Sequence, residues 1–173
     1  SNAGLYIHPT VTGITSLYIN NCWFKKGIIV DNSVKHVNYL EISNSYIGNN
    51  GGSALEYTSD VVTCLYNKIQ SCTIDAGSSS GAAGIKLRNV QKSCFIGNAI
   101  QGGDTYSIEE STNSFYNFYS GNKTEKPISL WNYSVGVNNY VKGNIILNNL
   151  PTTDPHVAGA LWNNNNVIAI SAG

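Results

Sequence analysis

A chain of 173 residues in which ten Lys plus Arg offset ten Asp plus Glu carries a formal net charge of zero. That balance argues against a nucleic-acid or anionic-membrane surface, because both need excess positive charge. Hydrophobic residues make up 42% of the chain and charged residues only 12%, and the apolar ones are regularly placed, so the low charge is not a signature of disorder. The opening Ser1-Asn2-Ala3 reads as an expression-tag scar, which leaves residues 4–173 as one domain with a sizeable core. No apolar run is long enough to span a bilayer and no signal-peptide pattern is present, so membrane insertion is not expected and localisation is not read from a targeting segment.

Along the chain, two kinds of short strand alternate. After a first strand around Leu5, one unit reads Leu17-Tyr18-Ile19-Asn20-Asn21-Cys22-Trp23-Phe24: a strand, a small-polar pair, then a further apolar residue. Gly27-Ile28-Ile29-Val30 follows as the second kind. The first unit returns at Leu40–Ile47, Asn67–Ile74, Ser93–Ile100, Asn117–Asn122 (with Thr124 at the last apolar place) and Tyr140–Ile146. Its equivalent positions Ile19, Ile42, Ile69, Phe95, Tyr119 and Val141 lie 23, 27, 26, 24 and 22 residues apart. The second kind keeps the same beat through Leu5, Ile29, Leu55, Ile85, Ile108, Leu130 and Leu161.

No segment shows a sustained helical period with caps. Short strands joined by Gly and Asn turns at a variable period near 24 predict an all-β solenoid of about six to seven coils. Each coil alone cannot bury its inward residues. Stacked about 4.8 Å apart, coils place like residues over one another and pair every backbone group. The small-polar pair belongs at a sharp corner, where Asn and Gly tolerate left-handed backbone angles. Its second members, Cys22, Ser45, Cys72, Asn98, Asn122 and Asn144, are expected to stack as an internal ladder.

The corner motif, the coil length and the strand rhythm resemble the pectin-lyase-like right-handed, single-stranded parallel β-helix superfamily, and most closely a fragment of a phage tailspike. The resemblance implies a carbohydrate-interacting segment of a tailspike or tail-associated receptor-binding protein, one chain of a homotrimer, placed on the virion tail or outside the cell after cytoplasmic assembly. Two further roles stay open: a polysaccharide hydrolase or lyase of the same fold, and a purely structural stalk or adhesin repeat. The polygalacturonase signatures Asn-x-Asp, Asp-Asp and Gly-His-Gly are absent, and the lone Arg88 has no acidic cluster beside it. The strand Val167-Ile168-Ala169-Ile170 begins a new coil where the sequence stops, so a longer protein or a covering partner chain is expected.

Alternation places Tyr6, Val30, Glu56, Lys86, Glu109, Trp131 and Trp162 on one outward stripe. Glu56 and Glu109 sit about 9.6 Å apart by coil counting, near the upper limit for an inverting acid/base pair. Lys86 between them suits a sugar acid, and Trp131 and Trp162, one coil apart, suit stacking on sugar rings. The competing reading is a Glu-Lys-Glu charge ladder worth a few tenths of a kcal/mol per pair (about 0.2–1). Glu110 points inward, and a strand end that reaches solvent is expected to relieve it. The four cysteines are expected to be buried thiols, with Cys22 and Cys72 about 9.6 Å apart, too far for a disulfide. His8, His36 and His156 are scattered, and no Cys/His spacing suggests a metal or another cofactor.

Overall fold

The computed structural model describes residues 4–111, 113–130, 134–137, 140–141, 145–147, 152–154, 156, 161–164 and 167–172, with the strands at 135–137, 140–141 and 145–147 described by their backbone pairing. Among the described residues the chain is all β, and its parallel sheets stack as a solenoid of about five turns. The first sheet runs Leu5–Ile7, Ile28–Val30, Leu55–Tyr57, Ala83–Leu87, Tyr106–Glu110, Ile128–Leu130, Ile145–Leu147. The second runs Ile14–Asn20, Val37–Ser43, Lys68–Gln70, Cys94–Ile96, Phe118–Ser120, Val135–Val137. The third runs Trp23–Phe24, Tyr46–Asn49, Thr73–Ala76, Ala99–Gln101, Lys123–Thr124, Tyr140–Val141.

Stacking follows from the inward columns. In the second sheet Ile19, Ile42, Ile69, Phe95 and Tyr119 lie in register, as their spacing predicts. All are buried, and the Phe95 and Tyr119 rings stack at 4.9 Å between centroids. The third sheet contributes Phe24, Ile47, Ile74, Ile100 and Thr124. Each fully buried aliphatic or aromatic side chain contributes roughly 1.5–3 kcal/mol.

Two expected alignments are corrected. The first-sheet column is Leu5, Ile28, Leu55, Ile85, Ile108 and Ile128, so Ile28 and Val30 are buried and Ile29 faces out. In Gly27-Ile28-Ile29-Val30 every side chain after the glycine is apolar, and alternation carries no phase. The phase is set instead by Gly27, whose φ is +74° and whose added Cβ would stand 2.8 Å from the Ala54 carbonyl oxygen. Only glycine lets the strand enter there. The second correction concerns the last copy. Gly136, not Val141, pairs above Tyr119, and Val141 pairs with Thr124. The coil shortens to 17 residues at this point, as between Ile128 and Ile145. A mean period near 24 therefore mis-set that copy. It also mis-set Leu130, which is buried but pairs with Leu147 one position-pair along from Ile128.

The corner is built as expected. Asn21, Asn44, Ser71, Gly97 and Gly121, one per coil, have φ between 49° and 63°. The next residue in each coil forms the ladder. The Cys22 N–H donates to Ser45 Oγ at 3.0 Å, Cys72 N–H to Asn98 Oδ1 at 3.0 Å, and Asn98 N–H to Asn122 Oδ1 at 3.0 Å. Each Asn amide also donates across to a backbone carbonyl, Asn98 to Ile69 and Asn122 to Phe95. The ladder position expected at Asn144 lies outside the described residues.

A second ladder, at the other end of the second sheet, passes from Leu40 N–H to Asn67 Oδ1, from Asn67 N–H to Ser93 Oγ, and from Ser93 N–H to Asn117 Oδ1. The residues just before its rungs, Ser16, Tyr39, Tyr66, Lys92 and Tyr116, also have positive φ, from 53° to 69°. Non-glycine residues in this region cost roughly 1–2 kcal/mol each, so three tyrosines there are held by the coil geometry against their own preference.

Replacing Asn98 by Ala removes the acceptor for the buried Cys72 N–H and both amide donations. Denaturant unfolding is expected to show a loss of about 2–4 kcal/mol. A loss under about 0.5 kcal/mol would mean that the ladder does not hold the coils together.

Candidate functional site

The outward stripe of the first sheet brings Glu56, Lys86 and Glu109 to the same register on neighbouring strands, as alternation requires. Tyr6 also stands on this stripe, paired with Ile29, while the remaining members differ from expectation. Ile29 and Ser129 occupy the places beside Glu56 and Glu109, and Val30 is buried. Trp131 lies outside the described residues. Trp162 belongs to Leu161–Asn164, which pairs antiparallel with Val167–Ile170, opposite Ala169. It is not stacked in the parallel sheet, because the chain leaves the coil rhythm there; Leu161, expected inward, is 40% exposed. Lys86 Nζ stands 3.7 Å from Glu109 Oε2 and donates at 2.8 Å to the Gly81 carbonyl in the loop after Ala76. Its side chain is only 15% exposed, so the cation is held by its own neighbours.

Glu110 does not reach solvent as expected: it is 2% exposed. Its Oε1 accepts from Asn117 Nδ2 at 2.8 Å, Tyr119 Oη at 2.6 Å and Ser134 Oγ at 2.9 Å. Burial first, and then the Glu110 charge, push the Tyr119 hydroxyl well above its ordinary pKa. This carboxyl is a rung of the interior, where Asn117 continues the second ladder. It is out of reach of a polymeric substrate.

A polar cluster lies where the first two coils leave the first sheet. Asp31 Oδ2 accepts from the Tyr6 hydroxyl at 2.5 Å and lies 2.9 Å from His8 Nδ1, while its Oδ1 accepts from the Ser33 N–H at 3.0 Å. The Tyr6 and His8 rings stack at 5.6 Å. Hydrogen bonds from the Ser33 side chain and the Tyr6 hydroxyl hold the Asp31 carboxyl down at about 2. The same bond raises the Tyr6 hydroxyl.

The thiols are all free, and Cys22 and Cys72 share a column with Ser45 between them. Cys64 and Cys72 are buried. Burial pushes Cys64 up to about 11 and also raises Cys72. Cys22 and Cys94 are half-buried, contrary to the expectation for all four; Cys94 lies on the outward side of the second sheet beside Lys68 and Phe118. Among the described residues no three His, Cys, Asp or Glu gather as metal ligands, and no helix is long and apolar enough to cross a membrane.

An open recess lies elsewhere, around Trp23 and Tyr46. Both precede an inward residue (Phe24 and Ile47), so alternation turns them outward on the third sheet. Trp23 is 68% exposed and lies 4.6 Å from the Tyr46 ring, tilted by 37°. Asn21, Asn44, Ser45, Ser71 and Thr73 complete a shallow groove of about 560 Å³. Tyr46 donates to Asp75 Oδ2 at 3.2 Å, and its ring occupies space that a Cβ on Gly48 would invade at 2.5 Å. Asn44 Nδ2 donates to Asn20 Oδ1 at 3.2 Å, which orients the corner amides. The groove thus offers an indole face, a phenol edge and uncharged donors and acceptors. Trp23 was available to sequence reasoning through the same alternation that predicted the first-sheet stripe.

Comparison of the chain with protein-family models, with curated proteins and with solved structures gives no match. The class that the fold defines is therefore a parallel β-solenoid, and its function has to be read from its surface.

Two measurements check this description. Asp31 contributes stability that is present above its unfolded pKa near 4 and is lost as pH falls through about 2. Asp31→Asn is expected to cost about 1–2 kcal/mol at pH 6 and nothing below pH 2, read by unfolding across that range; a pH-independent difference would contradict the assignment. Glu109→Gln, at the partly exposed pair, is expected to change stability by less than about 1 kcal/mol.

Proposed function

We propose that this chain is a carbohydrate-facing segment of a tailspike or tail-associated receptor-binding protein, built as a right-handed β-helix of the pectin-lyase-like kind and working as one chain of a homotrimer. The observation that carries the reading is Trp23, the most solvent-open of the tryptophans whose side chains are described, set against Tyr46 and bordered by corner amides and hydroxyls. An indole face packs on the apolar C–H side of a pyranose, and the amides suit its hydroxyls. The zero net charge suits an uncharged or weakly charged glycan. Four free thiols suit assembly in a reducing cytosol before delivery on a virion tail.

The degradative reading through Glu56 and Glu109 draws less support, because Lys86 is already satisfied by Glu109 and Gly81. Lys86 has little left to offer a sugar acid.

The test is retention of bacterial capsular and O-antigen polysaccharides by the purified protein. Trp23→Ala is expected to weaken binding about tenfold or more, a loss near 1.4 kcal/mol. Glu56→Gln and Glu109→Gln are expected to leave it unchanged. Unaltered binding in Trp23→Ala would remove the groove from the account, and depolymerisation lost in either Gln variant would restore the enzymatic reading.

A further inference from the structure

We infer that the bound glycan runs along the strand direction, from the Trp23 groove around the Asn21 corner and over the outer face of the second sheet to the Tyr39 corner, instead of following the solenoid axis. The inference rests on the glycan reading above. Along the axis, the outward column that starts at Trp23 and Tyr46 continues as Thr73, Ala99 and Lys123. The paired aromatic platform ends after two coils, and the next three places hold no ring. Along the strands the platform continues. Tyr18 faces outward on the second sheet in register with Glu41 and is 70% exposed. Tyr39 lies two residues before Glu41 on the neighbouring strand. Tyr39 is 48% exposed and stacks on Tyr66 at 5.3 Å with a 21° tilt.

Trp23, Tyr18 and Tyr39 thus lie on the first two coils, Trp23 on the third sheet and the two tyrosines on the second, on either side of the Asn21 corner. Between the rings lie the uncharged Asn20, Asn21, Ser43 and Asn44; Ser43 and Asn44 both donate to Asn20 Oδ1, and the Asn21 N–H donates to the Ser43 carbonyl. The charges along this route, Glu41 and Lys68, pair at 3.7 Å, so the path selects a neutral ligand. Tyr39 holds φ at 53° and Tyr66 at 58°, a region where Asn or Gly would be unstrained.

The ligand of the experiment is the neutral polysaccharide that the unmodified protein retains most strongly, cut into oligosaccharides of defined length. Tyr18→Ala and Tyr39→Asn are each expected to weaken binding about fivefold or more, with Tyr18→Phe close to unmodified. Tyr39→Asn is expected to keep or raise the thermal midpoint, since it relieves the backbone, which separates a lost contact from a lost fold. Ala99→Arg, on the axial column, is expected to bind normally. If Trp23→Ala weakens binding while Tyr18→Ala and Tyr39→Asn do not, or if Ala99→Arg blocks it, the crosswise path is wrong and the groove stands. If no neutral polysaccharide is retained at all, the glycan reading falls and the path with it.

Discussion

Parallel stacking of coils stands or falls on what happens at the corners. A strand can leave one sheet and enter the next within two residues only if one backbone unit turns left-handed, and the turning residues at Asn21, Asn44, Ser71, Gly97 and Gly121 do so in every described coil. The turn buries an N–H that no sheet can satisfy, and a buried unpaired donor costs about 1–3 kcal/mol. Here the side chain of the next coil up accepts it: Ser45 for Cys22, Asn98 for Cys72, Asn122 for Asn98. The ladder therefore fixes register from coil to coil. The apolar columns behind it, Ile19 to Tyr119 and Phe24 to Ile100, are aligned because the corners are.

That register also decides what the surface can be. An inward Phe24 and Ile47 force Trp23 and Tyr46 outward as a pair. An inward Ile19 does the same for Tyr18. The same geometry closes the first-sheet stripe on itself, placing Lys86 directly beside Glu109 and within reach of Gly81. The charges of this stripe are thus held in a short pair, while rings and amides are presented around Trp23 and Tyr18.

Much of this was legible in the amino-acid order. The recurring small-polar pair identified the corner, and the 23- to 27-residue spacings from Ile19 to Phe95 identified the columns, because a left-handed corner and an inward column leave strong compositional marks. Legibility ended where those marks are weak. Ile28 and Ile29 are chemically alike, so the inward choice rests on Gly27's contact with Ala54, which no local pattern reveals. The last copy shifted because the coil before Gly136 is 17 residues long, outside the range that the earlier copies define. Trp162 was placed by extrapolating the beat into a segment that pairs antiparallel. The tyrosine corner was invisible for another reason: Tyr39, Tyr66 and Tyr116 have no preference for positive φ, and tertiary geometry imposes it. In the candidate site, Glu56, Lys86 and Glu109 were placed correctly as neighbours, while Trp23 was read only as part of a strand.

The register claim can be tested by one substitution. Cys94 lies directly over Lys68 on the outward side of the second sheet, within the Cα separation of about 4.4–6.8 Å that a disulfide needs. Lys68→Cys should therefore close a disulfide to Cys94 on mild oxidation, identified by peptide mapping without reduction. Gln70→Cys, two residues further along the same strand, should not. Closure from position 70 and none from position 68 would contradict the aligned columns, and with them the groove and the path across it.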